Sequence, residues 1–542
     1  MPLKIIYIIL LAIILASCNS LDKYNRHIET PIPKEKLIKD INYVERVLFN
    51  NHPKIDWYID PKALHYSFDS LRKTIDKPLT PKEFYFKITP VVAKIKQGHI
   101  TMRPLLKTYS KSEKSKYKES KNPLSGLRYY YEDGRLFIEK NTKKEADVLL
   151  RGMEIVSVNG VTPQELYEKY RASLTSDGYN QTFIPYYFAD MVNRFYLNKL
   201  GFVDSLEIKA KCSDSLVFFN AKREFKKTIH KKVKPKEQNK DTLSKIKNEV
   251  DQLTKEEKIA KRLEQRKTNK KKRIYGYDTD EKVYINDLSF PVKGDSSIAV
   301  IKIRSFSSGR KKAYDEIFKM LKEREVKHLV LDLRNNLGGS ISQIHHLSKY
   351  LSQKEFRMAD DPIVTNKMVY LNYFRGGNIV SKILLSPITI PLFLKNTIST
   401  YKDANGYWRT PIKQSRKTQP KAPCYTNKVY VLINGKSFSA SSIISAYLKS
   451  LPNVTLIGEE TGGAHNGTVA GMMPRFELPY SKLNIRFGLL SIEPTYKVDK
   501  EGRGVMPNIE FKEKAENVIE EDDRMLNLVL YDLIPQSSTI KN

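Results

Sequence analysis

The apolar and polar positions along the chain change period twice. From Pro33 to about Lys96 the apolar residues recur at helical spacing. The runs LIKDINYVERVLFNNHP, ALHYSFDSLRKTI and LTPKEFYFKITPVVAKIKQGHI each present one apolar face. The last starts at Thr80-Pro81, with proline at the first helical position, and stops at Gly98-His99. Between residues 125 and 222 the pattern is β-rich: RLFIEK reads as a strand, and GMEIVSVNG as a strand closed by an Asn-Gly turn. From about Tyr284 short β-branched runs alternate with amphipathic helices. SIAVIKIRSF, VKHLVLDL, VYVLI and VTLIG are the strands; YDEIFKMLKERE and IISAYLKSL are helices between them. Strand and helix in alternation predict an α/β core. FELPYSKLNIRFGLLSIEP then reads as paired strands, and NVIEEDDRMLNLVLYDLI as a terminal helix.

Residues 223–275 change character and read as partly helical. They are lysine-dense and poor in aromatics, and supply much of an excess of 94 Lys+Arg over 61 Asp+Glu, net +33. Such a segment reads first as a solvated or disordered insertion, and second as a patch for phosphate groups. A basic balance admits nucleic acid, an anionic membrane surface or acidic partners. The chain's start narrows this. Lys4, the apolar run IIYIILLAIIL and the small residues before Cys18 describe an export signal, too short for a membrane span. Export argues against nucleic acid. Only Cys212 and Cys424 remain, neither in a Cys-x-x-Cys pair, so no zinc or redox motif is expected. They are candidates for one disulfide or for two free thiols.

Candidate chemistry concentrates at VYVLINGKSFSASSIISAYLKSLPNVTLIGEETGGAHNG, residues 429–467. A strand hands over to a helix through Asn434-Gly435 and a cluster of serines. A hydroxyl there is exposed at the strand end, beside free N–H groups that favour incoming negative charge. The alternative is that these serines only cap the helix.

This stretch resembles the nucleophile segment of the S41 peptidases, the tail-specific or C-terminal-processing protease family. The resemblance extends to Asp332-Leu333-Arg334-Asn335-Asn336-Leu337-Gly338-Gly339, to Gly98-His99-Ile100-Thr101, and to Glu501-Gly502-Arg503-Gly504-Val505-Met506-Pro507-Asn508. It implies a mixed α/β (α+β) chain with an S41/ClpP-crotonase-like protease core, an N-terminal helical region and a PDZ-like domain. It implies Ser439 as nucleophile, His99 as base, and Glu501 as a support of the catalytic array. The backbone at Gly338 or Gly339, with Gly338 preferred, would join Ala440 in an oxyanion hole. Ser437, Ser441 and Ser442 become packing or capping residues, Asp332 and Arg334 structural ones. The processing-protease branch carries a lysine base in the glycine turn. Here Ala464 stands in its place, closer to the tricorn-core-like branch, and His465 is the alternative base. No metal or organic cofactor is implied.

Leu15-Ala16-Ser17-Cys18 resembles a bacterial lipobox, which implies lipidation at Cys18 and a membrane-anchored, periplasm-facing envelope lipoprotein. An ordinary signal peptide is the alternative. The expected organisation is a leader at 1–18, a tether at 19–32, the helical region at 33–110, the PDZ-like domain at 120–222, the Lys-rich insertion at 223–275 and the protease core at 284–530. The implied function is a serine-type endopeptidase acting on exported proteins or peptides. The alternative is an inactive member of the same fold that binds peptides or another ligand. Residues 352–425, rich in aromatics, read as a lid or substrate-facing insertion.

Overall fold

The computed structural model describes residues 21–108, 120–142, 150–201, 203–225, 254–374, 379–520 and 522–535. The leader and Cys18 lie outside them, as does most of the Lys-rich stretch.

A six-stranded sheet forms the centre of the core. Its order is Asn286–Ser289, Ile298–Ile303, His328–Asp332, Lys428–Ile433, Val454–Gly458 and Ile509–Glu510. The first pair is antiparallel and the rest are parallel. Continuous apolar strands suit this place because parallel strands are covered on both faces. One face takes the helices Lys311–Glu323, Ile341–Leu351 and Ala440–Lys449, with Ile317, Leu347 and Ile444 fully buried. Against the other lie Met525, Val529 and Leu530 of the closing segment, packed on Val300, Val330 and Leu432. That segment is not one helix: Ala515–Glu520, Arg524–Asn527 and a π-type turn at Leu528–Leu533 follow one another.

The N-terminal region is helical as the spacing predicts: Lys34–Asn51, Pro61–Lys73 and Pro81–Ala93. Thr80 and Glu83 close a reciprocal capping box on the third. The expected tether is helical over residues 21–29, and Asn25 Nδ2 donates to Thr108 O. The middle module is a five-stranded antiparallel sheet running Leu127–Glu132, Arg135–Asn141, Glu154–Val158, Ser205–Cys212, Ser215–Lys222, with helices Pro163–Arg171 and Phe183–Leu200. The described part of the Lys-rich stretch includes a helix, Lys255–Tyr275, that is exposed until its last turn buries Ile274 and Tyr275. Cys212 and Cys424 are both free thiols.

Two small sheets tie these parts together. Thr101–Arg103, just after the third helix, pairs with Asn484–Arg486, which pairs with Arg475–Glu477. Thr468–Ala470 pairs with Leu490–Ile492, at one edge of a five-stranded sheet that also holds Ile363–Val364, Tyr401–Lys402 and Trp408–Arg409. The first pairing carries the Gly98-His99 turn onto the core. The second places Thr468 beside it.

Candidate active site

Ser439 ends the connection from the Lys428–Ile433 strand to the Ala440–Lys449 helix. Its backbone has φ 57° and ψ −118°, a conformation that costs a non-glycine residue roughly 1–3 kcal/mol. The neighbouring contacts hold it there. Phe438 N–H donates to Asn336 O, Ile443 N–H to Ser439 O, and the Gly463 backbone closes from the other side. Ser439 occupies the N-cap position, yet its side chain makes no capping hydrogen bond. The capping role expected of a serine here is therefore not the one it fills. Its neighbours are otherwise engaged: Ser437 Oγ donates to Leu333 O and Ser442 Oγ to Ser437 O. Ser441 is fully buried, whereas Ser439 is half-buried.

The Gly338-Gly339 turn lies against this elbow. A Cβ on Gly338 would stand 2.6 Å from Phe438 O and 2.7 Å from Ala440 N, and its φ is +94°. Glycine is required there on both counts. The preferred oxyanion donor changes, however. Gly338 N–H is already given to Asn336 Oδ1 at 2.8 Å. Among the described residues neither Gly339 N–H nor Ala440 N–H donates to another protein group. The pair free to meet an oxyanion is thus Gly339 and Ala440. The Asn-Asn pair before the glycines does the positioning: Asn336 Nδ2 also donates to Ile303 O.

His99 arrives from the helical region. Its ring packs on Phe438, the residue before Ser439, with centroids 5.0 Å apart. Gly98 permits this approach, since a Cβ there would meet Phe438 Cζ at 2.5 Å. Nδ1 of His99 lies 3.1 Å from Thr468 Oγ1. Burial, and then the Arg486 guanidinium, lowers its pKa to about 4, so the imidazole is neutral at pH 7.

Asp177 completes the group, and the sequence reading did not single it out. It is fully buried, and its Oδ1 accepts the Gly98 N–H at 2.8 Å. Burial raises its pKa to about 6, opposed by Gly98 N–H, the Thr468 hydroxyl and the Ala464 N–H nearby. The only sequence signal was the loop composition of Thr175-Ser176-Asp177-Gly178-Tyr179-Asn180. This loop is pinned to the glycine turn: Ser176 Oγ and Asn180 Nδ2 each donate to Gly462 O at 3.0 Å.

The 501–508 segment braces that loop. Tyr179 N–H donates to Gly502 O at 2.7 Å, and a Cβ on Gly178 would strike Gly502 at 2.4 Å. Buried Glu460 receives Arg503 and the Gly504 N–H. Glu501 itself is exposed and accepts from Trp57 Nε1 at 3.2 Å. Its hydrogen bond runs to Trp57 rather than to His99, whose Nδ1 faces Thr468. Glu501 lies near Tyr58, whose hydroxyl also feels Asp177 and is held well above the usual phenol range by burial.

His465, the alternative base, is buried in the loop that follows the glycine turn. Its N–H donates to Arg503 O, and burial and Lys449 lower its pKa to about 4. Lys449 is the last residue of the helix whose first residue follows Ser439, roughly 15 Å along the axis. Asp332 and Arg334 form a buried structural pair. Arg334 Nη2 donates to Asp332 Oδ2 at 2.9 Å and to Asp523 Oδ2 at 2.6 Å, joining the core strand to the closing segment. Among the described residues no group of His, Cys, Asp and Glu side chains could hold a metal ion.

A strained serine at a strand–helix elbow, facing a Gly-Gly turn across a parallel sheet, defines a peptidase-type core. Residues 297–511 match the model of peptidase family S41, so this part of the chain is similar to that family. The chain is 25% identical over 268 residues to a tail-specific protease of Haemophilus influenzae, covering 48% of this chain and 31% of that one. The match thus spans less than a third of that relative's length. The fold is similar to that of mature CPAF complexed with lactacystin (TM-score 0.57, 13% identity, 92% of this chain and 97% of that one). Mature CPAF in a second structure gives TM-score 0.56 at 14% identity, covering 92% and 96%.

Proposed function

We propose that the protein is a serine peptidase that hydrolyses peptide bonds in protein or peptide substrates, with Ser439 as nucleophile and His99 as base. The observation that carries the reading is the pairing of an uncapping, half-buried Ser439 in strained backbone with a neutral imidazole packed at a tilt on the adjacent Phe438. The S41 match and the tail-specific protease relative support it.

The hydrogen-bond order follows from the base's task. For Nε2 of His99 to take a proton, its lone pair must lie there and the ring proton on Nδ1. Nδ1–H then donates to Thr468 Oγ1, and the Thr468 hydroxyl turns toward the Asp177 carboxylate. Thr468 and Asp177 are positioning residues: they hold the tautomer and stabilise the imidazolium that forms on proton transfer. The Ser439 oxygen attacks the peptide carbonyl, and the carbonyl oxygen becomes an oxyanion facing the Gly339 and Ala440 N–H groups. His99 returns its proton to the leaving amine, and water hydrolyses the acyl-enzyme. Glu501, tied to Trp57, supports the array through the loop beneath Asp177. The exported, lipid-anchored setting rests on residues 1–18 alone.

A fluorophosphonate probe tests this. The folded wild-type chain should label, and both Ser439→Ala and His99→Gln should lose the label. A folded wild-type chain that does not label would favour the alternative, a ligand-binding member of the same fold in which Ala464 has replaced the lysine.

A further inference from the structure

The insertion between the Ile363–Val364 and Tyr401–Lys402 strands is built unlike a solvent-exposed surface. Residues 362–402 contain no Asp or Glu, and five basic residues: Lys367, Arg375, Lys382, Lys395 and Lys402. Their main element is the helix Ile379–Ser399, IVSKILLSPITIPLFLKNTIS. Its described side chains leave Ile390, Leu392, Leu394 and Ile398 exposed, Ile398 to 80%. Phe393, by contrast, turns inward and packs on the core. The root of the insertion is firmly held. Tyr370 is buried, and Asn372 Nδ2 donates to Asn51 Oδ1 at 2.6 Å in a buried pair with the first long helix. This base thus presents Ile390, Leu394 and Ile398 in a row on one side of the helix, where soluble proteins seldom put contiguous large aliphatic side chains, and Leu392 on another side.

We propose that this helix lies in the surface of an anionic lipid bilayer, with its aliphatic face among the acyl chains and its lysines at the phosphates. Three observations select that occupant. Ile390, Leu394 and Ile398 follow one another at four-residue spacing on one exposed side of the helix, the arrangement of a helix that lies in the plane of a bilayer interface. The charged residues of the segment are all basic, and Lys395 is exposed on the helix next to Leu394, as phosphate headgroups require. A second copy of the chain is a poorer fit, because the helix face carries exposed Lys395 and the helix offers a copy no carboxylate to pair with it. The contact is independent of Cys18 and of the peptidase reading.

The test places a tryptophan on the face. The full chain carrying Leu394→Trp is bound to vesicles of phosphatidylethanolamine and phosphatidylglycerol whose acyl chains are plain or brominated. Bromine should quench the added emission at least about twofold beyond the background of Trp57 and Trp408, as burial in the acyl boundary requires. Ile398→Trp should behave alike, which guards against a local failure at one position. Leu216→Trp, at an exposed position of the middle module, should not be quenched. Vesicle-bound protein unquenched at both 394 and 398 would overturn the proposal, since a lipid on Cys18 alone would then explain binding. So would shielding of residue 394 that grows with protein concentration in the absence of lipid, the result expected for self-association.

Discussion

Thr468 Oγ1 stands 3.1 Å from His99 Nδ1, although 369 residues separate them. One residue comes from an antiparallel pair at the edge of a small sheet, the other from the turn after the third helix. The contact gives the imidazole a fixed orientation on Phe438. Removing the hydroxyl by Thr468→Val should lower kcat by about 10–100-fold with little change in KM, a part of the ~10²–10⁴-fold that general base catalysis contributes. Thr468→Ser should restore most of it. Equal loss in Thr468→Ser would mean that the methyl packing, not the hydroxyl, matters.

The two titrating groups predict the acidic limb of the pH profile. His99 must be neutral, which holds above about 4; Asp177 must be ionised, which holds above about 6. The higher value sets the limit, so kcat/KM should fall as pH drops through about 6. Asp177→Asn should lower the plateau and move the remaining limb toward that of His99. Steady-state kinetics between pH 4 and 8 would decide it. An unmoved limb near 6 in Asp177→Asn would assign the titration to another group.

Gly338 sits where a methyl group would collide with the backbone on both sides of Ser439. Gly338→Ala should displace the Ala440 N–H from the oxyanion position and cost ~10²–10³ in kcat, as losing one oxyanion donor does. Its folding should survive, checked by circular dichroism. Full activity in a folded Gly338→Ala chain would remove Ala440 N–H from the mechanism.

Arg334 is a matter of stability. It neutralises buried Asp332 and draws Asp523 onto the core. Together with Lys302 it holds the Asp332 carboxyl well below the ordinary range against burial. Arg334→Ala leaves that carboxylate short of a partner and should cost ~3–5 kcal/mol, read by urea unfolding. A loss below about 1 kcal/mol would show that Lys302 suffices, as for an exposed pair. Acidification should weaken wild type too. A carboxylate whose folded pKa is depressed contributes stability above its unfolded value, and loses it as pH falls toward the folded one.

Much of this was legible along the chain. The α/β core follows from β-branched runs alternating with amphipathic helices, because those periods reflect local geometry. Ser439 and the glycine pair were readable for the same reason: a strand-to-helix turn and a Gly-Gly approach are properties of a few adjacent residues. What misled was any inference about where a group points. Gly338 and Gly339 look alike in a string, and only the folded loop shows Asn336 claiming the first N–H. His465 lies closer to Ser439 in sequence than His99 does, yet it is His99 whose ring packs on Phe438, the residue before Ser439. The terminal run 517–534 has helical spacing but is broken into short turns that fit the sheet face beneath.

The sequence by itself determined which segments are strand or helix, where the chain must turn sharply, and which residue types were on hand for nucleophilic chemistry. Hydrophobic period, proline and glycine carry that information within a dozen residues. The tertiary structure alone decided which histidine packs on Phe438 beside Ser439, that Thr468 and Asp177 gather around its turn, and which amide is left unpaired. Those facts depend on strand pairings across hundreds of residues, and on burial that shifts His99 and Asp177 in opposite directions. No local pattern encodes either.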